Sequence, residues 1–411
     1  MSARPPSNEN LLPCQVAVLT PPGRGAVATL VVFGTSALET IERFFYPAAG
    51  KPPRQFPINR VIHGHWVVPP APGTTESQEP TRAEELVVAR RDEQTIEVHC
   101  HGGSAAVDRI VRSLTAENCT PVSPEFWIQR RTENRLNGEA QVAITQARTT
   151  RVAAILLDQV QGSLSRAINN VLRDLTHQNR CRAKQTLTAL LAWAPFGQRL
   201  ISPWRVALVG ETNVGKSSLI NALVGYDRAL VRETAGTTRD VLTDVTAIDG
   251  WPVEFSDTAG IRPTESDIER EGVRRAQQAA ATADLVLRVA DLSQPWKPPG
   301  QTGSDQSQTP CLMVHNKRDL VRRPPSERPE GVLTSAREAT GIDDLVAAIS
   351  RHLVPQAPLP GSAIPFLKHH EEALREALKA LELGANEVAA AKLHGLLSWT
   401  SPKTGHGPGV G

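Results

Sequence analysis

Residues 210–218 form a complete G-x-x-x-x-G-K-[ST] phosphate loop, the pattern with the most specific chemistry in this chain. An apolar run at 204–209 precedes the loop and another at 219–224 follows it, which is the strand–loop–helix context that the motif requires. In that context backbone N–H groups converge on phosphate oxygens, Lys216 reaches the terminal phosphates, and Ser217 offers its hydroxyl to Mg²⁺. The pattern therefore predicts a nucleoside triphosphate site, whose loop contacts are Asn213, Val214, Gly215, Lys216, Ser217 and Ser218.

A second pattern, N-K-x-D, follows the apolar run 311–315 and concerns the base. The Asp319 carboxylate can accept both the N1–H and the exocyclic N2–H of guanine, and adenine lacks that paired donor edge. A site built on such a bond rejects the wrong base by orders of magnitude, because the carboxylate would be left unpaired. N-K-x-D alone is weak, but at a strand end about 100 residues after a phosphate loop it indicates guanine. The predicted base contacts are Asn316, Lys317, Asp319, Ser335 and Ala336.

The elements needed for hydrolysis lie between these two patterns. Asp257, at the end of an apolar run, would hold Mg²⁺ through water opposite Ser217. Gly260 would leave its N–H free to sense a γ-phosphate, and the segment 235–240 would supply Thr238 to the same metal. Four elements in this order predict a GTPase, with Lys216 and Gly260 among its catalytic residues.

One position argues against a Ras-like mechanism. Ile261 follows Gly260, where a water-orienting glutamine would be expected, and an isoleucine cannot polarise water. The surrounding run 257–273, DTAGIRPTESDIEREGV, resembles the bacterial tRNA-modification GTPase family MnmE, also called TrmE. In that family the G domain dimerises across its nucleotide face, and K⁺ takes the place of an arginine finger.

The resemblance implies roles for individual residues. Glu269 matches the family's water-orienting glutamate, with a solvated acid at a helix start as the alternative interpretation. Thr238 matches the threonine that faces Mg²⁺. The implied K⁺ ligands are Asn213, Thr237 and the backbone carbonyls of Arg232 and Thr234.

Two patterns extend the resemblance towards the N-terminus. P-P-G-R-G at 21–25 resembles the family's opening turn, and C-H-G-G at 100–103 resembles a later strand end. The family uses this domain to dimerise and to bind a folate one-carbon donor. Arg24 is therefore the candidate folate contact, with a solvated turn arginine as the alternative. His99 and His101 would share one side of a strand, but no nearby Cys or His completes a tetrahedral metal site, so a structural role is expected.

Other segments depart from the family pattern. The family continues its one-carbon site as P-G-E-F-[ST]-x-R-A-F-x-N-G-K. In the corresponding run, 123–139, only Glu-Phe, one arginine and Asn-Gly remain, and the run ends Asn-Gly-Glu. The family also ends in Cys-[ILV]-Gly-Lys, whereas this sequence has no cysteine after Cys311. The GTP switch is therefore expected to be intact while the chemistry that it serves is eroded.

Composition is that of a cytoplasmic multidomain protein. A length of 411 residues predicts two or three domains, and a formal charge of +2 gives no general attraction to nucleic acid. Arg130, Arg131 and Arg135 are expected to form a solvated helix face rather than phosphate contacts. The five scattered cysteines predict neither a disulfide nor a zinc site. The longest apolar run, 187–194, is too short to span a bilayer, so no membrane association is expected.

The predicted fold is an α/β P-loop GTPase domain inserted in an all-α helical domain, preceded by an N-terminal α+β domain. Short strands separated by turns predict the first domain, and apolar residues at helical spacing predict the helical one. The Pro-, Gln-, Gly- and Ser-rich segment 293–309 and the Gly-rich tail are expected to be disordered. The predicted boundaries are 1–122 for the N-terminal domain, 123–202 and 356–411 for the helical domain, and 203–355 for the G domain.

The resemblance implies a K⁺-stimulated GTPase that acts in tRNA wobble-uridine modification. GTP hydrolysis would open and close a G-domain homodimer, and the expected partners are tRNA and the flavoprotein MnmG. One alternative is a diverged paralogue that acts as a GTP-gated interaction switch without modification chemistry. Another is a ribosome-assembly GTPase of the Era type, which is disfavoured because no KH-like G-x-x-G module follows residue 352.

Overall fold

The computed structural model describes residues 13–21, 25–48, 50, 55–68, 84–132, 134–226, 245–257, 280–296, 309–321 and 328–399, with only the backbone of Asp257. Most of the segment 293–309 and the tail from residue 400, for which disorder was expected, therefore lie outside the described residues. The described residues divide into two compact units, one before residue 133 and the other from residue 134 onwards. Within the described ranges, no helix is both long and apolar enough to cross a membrane.

The first unit is built on a seven-stranded sheet. Its elements are β1 (Gln15–Val18), β2 (Val27–Phe33), α1 (Ala37–Glu42), β3 (Phe45–Pro47), β4 (Val61–Trp66), β5 (Glu84–Arg90), β6 (Thr95–His101), α2 (Ser104–Ala116), β7 (Thr120–Val122) and α3 (Pro124–Arg130). The strand order is β3-β4-β5-β6-β2-β1-β7, and neighbours are antiparallel except for the parallel pair β1 and β7. Alternate residues of each strand face opposite sides of the sheet, and an apolar cluster lies on each side.

The larger cluster lies under α1 and α2, where Leu30 and Val98 of the sheet pack with Ile110 of α2. The smaller one lies on the opposite face, where Trp127 of α3 contacts Phe33 with ring centroids 4.5 Å apart. The cap residue Ser123 starts α3, since its Oγ accepts a hydrogen bond of 3.2 Å from the N–H of Phe126. Residues 123–130 thus pack on the N-terminal sheet, whereas the boundary predicted at residue 122 assigned them to the helical domain.

A disulfide joins Cys14 to Cys119, which corrects the expectation that the cysteines form none. Each cysteine immediately precedes a strand, and the parallel register of β1 and β7 sets Gln15 opposite Thr120. That register brings the two Cα atoms to 4.5 Å, within the range that a disulfide spans. The partners are 105 residues apart in sequence, so their spacing carried no signal.

The second unit contains a helical part and an α/β part. Its elements are α4 (Arg135–Thr145), α5 (Thr150–Val160), α6 (Ser163–Thr176), α7 (Arg180–Gln198), β8 (Trp204–Val209), α8 (Lys216–Tyr226), β9 (Val245–Ile248), β10 (Trp251–Asp257), β11 (Leu285–Asp291), β12 (Cys311–Asn316), β13 (Val332–Leu333), α9 (Ile342–Leu353), α10 (Lys368–Glu382) and α11 (Asn386–Leu397).

The helices before the α/β part share one core with the two that follow it. Along α6 the buried residues recur every three or four positions, as an amphipathic helix requires, and include Leu164, Ile168 and Leu175. They lie in the same apolar cluster as Leu374 of α10 and Leu393 of α11. The two helical segments therefore stabilise each other although the α/β part separates them in sequence.

Gly197 of α7 allows the closest approach in this helical core. A Cβ at this position would lie 1.9 Å from the carbonyl oxygen of Pro365. We expect Gly197→Ala to lower the free energy of unfolding by about 1–3 kcal/mol through overpacking, measured by urea denaturation. Gly395→Ala in α11 is the matched control, because nothing lies within 4 Å of its Cβ. That change should instead stabilise the protein by up to about 1 kcal/mol through helix propensity, and equal effects of the two would contradict the packing argument.

The α/β part is a six-stranded sheet in the order β13-β12-β11-β8-β10-β9. Its strands run parallel, except that β9 pairs antiparallel with β10. Val206 and Leu208 of β8 are fully buried in one apolar cluster with residues of α8 and α9. Because β8 lies inside the sheet, the loop that follows it emerges at a carboxyl edge between neighbouring strands, where α/β proteins bind ligands. This confirms the α/β domain that the sequence predicts.

The turn between β9 and β10 is bonded to helices on two sides. Asp249 and Gly250 have φ of 50° and 76°, as a tight Asp-Gly hairpin turn requires. Arg151 of α5 donates to the Asp249 carbonyl (2.6 Å) and carboxylate (3.0 Å), and its guanidinium lies 4.6 Å from the ring centre of Trp251. From α9, the hydroxyl of Ser350 donates to the same carboxylate at 2.9 Å.

Candidate nucleotide-binding site

The phosphate loop connects the end of β8 to the start of α8. Gly210 and Gly215 have φ of 156° and 94°, and Asn213 has φ of 63°. Asparagine is one of the few non-glycine residues that enter this left-handed region readily. The loop leads directly into the first turn of α8, whose backbone N–H groups have no partner within the helix. The arrangement is therefore suited to an anion such as a phosphate chain.

Lys216, the first residue of α8, lies within this loop and is only 6% exposed. Its Nζ donates hydrogen bonds to the carbonyl oxygens of Gly210 (2.9 Å) and Glu211 (2.8 Å). The two bonds hold the loop around the ammonium group, so a positive charge lies where phosphates would bind. Ser217 and Ser218 follow on the exposed side of the same helical turn.

Gly215 can be no other residue in this backbone arrangement. Its φ of 94° is unfavourable for any side chain, and a Cβ there would lie 2.4 Å from Nδ2 of Asn316. Because Gly215 has no side chain, Asn316 at the end of β12 can approach the phosphate loop closely.

Asn316, the last residue of β12, joins the phosphate loop to the base-recognition loops. It is 2% exposed, and its Nδ2 donates to the carbonyl oxygen of Val214 at 2.9 Å. Its Oδ1 accepts hydrogen bonds from the N–H of Ala336 (3.1 Å) and from the hydroxyl of Thr334 (3.3 Å). One amide side chain thus holds three segments of the predicted site in fixed relative positions.

We expect Asn316→Ala to lower the free energy of unfolding by about 2–4 kcal/mol, because it removes the Asn316 partner of the buried Val214 carbonyl and of the half-buried Ala336 N–H. GTP affinity should fall as well, since both loops lose their common support. Urea denaturation and nucleotide titration measure the two effects. Asn221→Ala, on the exposed side of α8, is the control and should change neither. Wild-type stability in Asn316→Ala would show that the amide does not hold the loops.

Lys317 follows with φ of 66° and is paired with Asp291 at the end of β11. The distance from Lys317 Nζ to Asp291 Oδ2 is 2.7 Å. Burial raises the pKa of Asp291, but hydrogen bonds from Lys317 and Ser293 outweigh it and hold that pKa below its usual range. The ion pair therefore persists at neutral pH and fixes the lysine stem beside the base-recognition loop.

Asp319 has one carboxylate oxygen held by the protein. The hydroxyl of Ser335 donates to Asp319 Oδ1 at 2.6 Å and accepts from the N–H of Glu338 at 3.2 Å. Ser335 itself is fully buried and bridges to Thr340 through backbone hydrogen bonds. The carboxylate is therefore oriented in advance, which lowers the entropy cost of accepting two N–H donors from a base.

Comparison with known proteins agrees with this geometry. The family model of the 50S ribosome-binding GTPase matches residues 205–317. The tRNA modification GTPase MnmE of Thermus thermophilus is 34% identical over 89% of this chain and 88% of that protein. The corresponding proteins of Chloroflexus aurantiacus and Geobacillus kaustophilus are 32% and 30% identical, over 93% and 81% of this chain and 91% and 80% of theirs. This chain belongs to the MnmE family. It is a GTP-binding enzyme that hydrolyses GTP, as its motifs predict.

Among solved structures, a variant of Era from Aquifex aeolicus bound to GDP and AlF4⁻ is 30% identical. The match covers 44% of this chain and 67% of that chain, with a TM-score of 0.29. That score is too low for the likeness to support any inference about this member of the MnmE family.

For several residues to which the MnmE resemblance assigns a role, the structure describes no side chain. Asp257 ends β10 and pairs with Leu208 of β8, which places its backbone at the same sheet edge as the phosphate loop. The rest of the switch and K⁺ elements lie outside the described residues, as does the folate candidate. These are Arg24, Arg232, Thr234, Thr237, Thr238, Gly260 and Glu269.

The structure also adds residues that the sequence reasoning missed. Asp291, Thr334 and Arg328 support the base-recognition loops, and Arg328 donates to the carbonyl oxygens of Asp291 (3.0 Å) and Leu292 (3.1 Å). Asp291 directly follows an apolar run, so the strand-end rule that selected Asp257 would have found it. For Arg328 the sequence offers no comparable signal, since its partners are backbone atoms.

Proposed function

We propose that this MnmE-family enzyme is a K⁺-stimulated GTPase that acts in modification of the tRNA wobble uridine. GTP binding would close a homodimer of G domains, and hydrolysis would reopen it. The hydrogen bonds of Asn316 support the proposal most strongly, because they join the phosphate loop at Val214 to the segment 334–336, where Ser335 orients the Asp319 carboxylate. Relatives that carry the name tRNA modification GTPase and align over most of the chain support the process.

Mg²⁺ would be held at the phosphate loop by Ser217, Thr238 and, through water, Asp257. All three offer oxygen ligands, which this hard cation prefers. When bound, the ion neutralises charge on the β- and γ-phosphates. The exposed position of Ser217 at the start of α8 and the strand-end position of Asp257 fit this assignment.

K⁺ would be held by the Asn213 side chain together with Thr237 and the carbonyls of Arg232 and Thr234. Asn213 lies at the exposed tip of the phosphate loop, with left-handed backbone, so its amide is not used in supporting the loop interior. The ion would supply positive charge to the phosphates in place of an arginine finger. Glu269 would orient the attacking water.

GTP hydrolysis should be faster in KCl than in NaCl at equal ionic strength. Asn213→Gly should remove this difference while GTP binding is retained, because glycine deletes the amide without straining a backbone φ of 63°. Turnover in the two salts and nucleotide titration measure the effects. Equal wild-type rates in KCl and NaCl would rule out the K⁺ assignment.

A second candidate function is a GTP-gated interaction switch without modification chemistry. Glu139 favours it, because the family pattern has a lysine at that position and the carboxylate here contacts His369 and His370. Loss of the family's lysine would weaken a folate site, including one that uses Arg24. A switch without modification chemistry would not need MnmG.

Complementation separates the two candidates. The chain would be expressed in a bacterium that lacks its own MnmE-family GTPase, and tRNA nucleosides would be analysed by mass spectrometry. Restored wobble modification supports the proposed function. Active GTPase without the modified uridine favours the interaction switch, and Lys216→Ala serves as the inactive control.

A further inference from the structure

Glu139, His369 and His370 form a cluster between α4 and the first turn of α10. The His370 Nε2 lies 2.7 Å from Glu139 Oε2, and the His369 Nε2 lies 3.1 Å and 3.2 Å from the two carboxylate oxygens. One potential ligand atom from each residue lies within 4.8 Å of the other two. The His370 side chain is fully buried and that of Glu139 is 11% exposed, whereas His369 reaches solvent.

His369 Nε2 lies among charged groups of both signs. Arg135 Nη2 lies 3.1 Å from this nitrogen and can only donate, while both Glu139 oxygens can only accept. If the nitrogen carries a proton, it donates to the Glu139 carboxylate and cannot also accept from Arg135. If it does not, its lone pair faces the carboxylate. A cation bound jointly by the nitrogen and the carboxylate removes this second conflict.

We propose that Glu139, His369 and His370 bind a divalent first-row metal ion, for which Zn²⁺ is the reference. Two imidazole nitrogens and one carboxylate oxygen are a ligand set that zinc accepts, with a fourth position left for water. The exposed edge of His369 provides that open position and an entry path. This site is separate from the Mg²⁺ and K⁺ positions of the nucleotide loop, and it does not depend on the proposed function.

The supporting contacts suit a ligand cluster. Arg135 Nε donates to Glu139 Oε1 at 2.7 Å and orients the carboxylate from outside, as hydrogen bonds to metal-ligating carboxylates do. The ring of Phe366 packs edge-on against that of His370, with ring centroids 4.7 Å apart, and restricts its rotation. Tetrahedral zinc separates its ligand atoms by about 3.4 Å. Loading therefore needs the 2.7 Å contact between His370 Nε2 and Glu139 Oε2 to open by about 0.7 Å. It also gives up the long 3.4 Å contact from Leu367 N–H to His370 Nδ1.

The site lies where the two helical segments meet. Glu139 precedes the α/β part and the histidines follow it, 230 and 231 residues later. A bound ion would therefore clamp both ends of the helical core across the inserted domain. The lysine that the family pattern has at this position could not act as a ligand while protonated, so the clamp would be a property of this chain rather than of the family.

The test uses the full chain, stripped with a chelator and then held in excess Mg²⁺ and GDP to occupy the nucleotide site. Zn²⁺ is titrated by calorimetry, and thermal unfolding is followed with and without the metal. Wild type should bind one more Zn²⁺ than Glu139→Gln or His369→Ala, or bind it at least about tenfold more tightly. Its Tm should rise with Zn²⁺, because a ligand of the native state stabilises that state.

His177→Ala removes an exposed histidine from the same helical part and should behave as wild type. Glu139→Gln and His369→Ala are both used, because neither deletes the buried His370 ring, and circular dichroism verifies their folding. The proposal is overturned if wild type and both variants show the same Zn²⁺ affinity and the same change in Tm. In that case the cluster is a charge network alone.

Discussion

Replacing Asp319 with asparagine is expected to change the nucleotide preference from GTP to XTP by about 10⁴-fold. The Ser335 hydroxyl donates to Asp319 Oδ1, and it would donate equally to the amide oxygen of asparagine. The amide nitrogen would then occupy the position of the free carboxylate oxygen. That donor faces the N2–H₂ of guanine unfavourably but pairs with the corresponding carbonyl of xanthine.

Dissociation constants of GTP and XTP for Asp319→Asn and wild type measure this change. Asp343→Asn, at the exposed start of α9, is a matched control with the same loss of charge and should keep the preference for GTP. If Asp319→Asn still preferred GTP, the carboxylate would not be the group that recognises the base.

Lys216→Ala is expected to weaken GTP binding by about 10²–10³-fold, which corresponds to about 3–4 kcal/mol. The change removes the positive charge from the phosphate loop together with the two hydrogen bonds to the carbonyls of Gly210 and Glu211. Those carbonyls then face the phosphates without a cation between them. Turnover should be lost as well, because the charge that develops on the phosphates is no longer stabilised.

Nucleotide titration and single-turnover hydrolysis measure the effect of Lys216→Ala, and urea denaturation tests whether the loop still folds. Lys392→Ala removes a lysine of α11 that pairs with Glu376 at the surface, and it should leave binding unchanged. Wild-type affinity in Lys216→Ala would contradict the placement of the phosphates in this loop.

The elements around the nucleotide could be read from local sequence, because each signal lies within one strand and the loop after it. The phosphate loop follows β8, and N-K-x-D follows β12, at the carboxyl ends of parallel strands that the sheet brings to one edge. Only the sequence of the loop was needed to select Lys216. The hydrogen bonds of Asn316 to Val214 and Ala336 could not be foreseen, since they depend on the separation of loops from different strands.

Pairings between distant segments left no local trace. Cys14 and Cys119 meet because β1 and β7 are parallel neighbours, and that adjacency depends on the order of the whole sheet. Glu139 and the two histidines meet only after the helical core closes across the inserted α/β part. Contacts of this kind follow from tertiary packing, which residue types and spacing do not encode in a single sequence without its relatives.

The bonded turn at Asp249 has a mechanical consequence. It belongs to a hairpin whose two strands continue in sequence towards the segments expected to sense the nucleotide, before β9 and after Asp257. Arg151 and Ser350 hold the turn to α5 and α9, so the hairpin is pinned at the end farthest from Asp257. The seven residues of β10 span about 20 Å, so the strand connects the fixed turn to the sheet edge where Asp257 lies. Strain generated at the phosphates would then reach α5 and α9 together, through the hydrogen bonds of Arg151 and Ser350 to this turn.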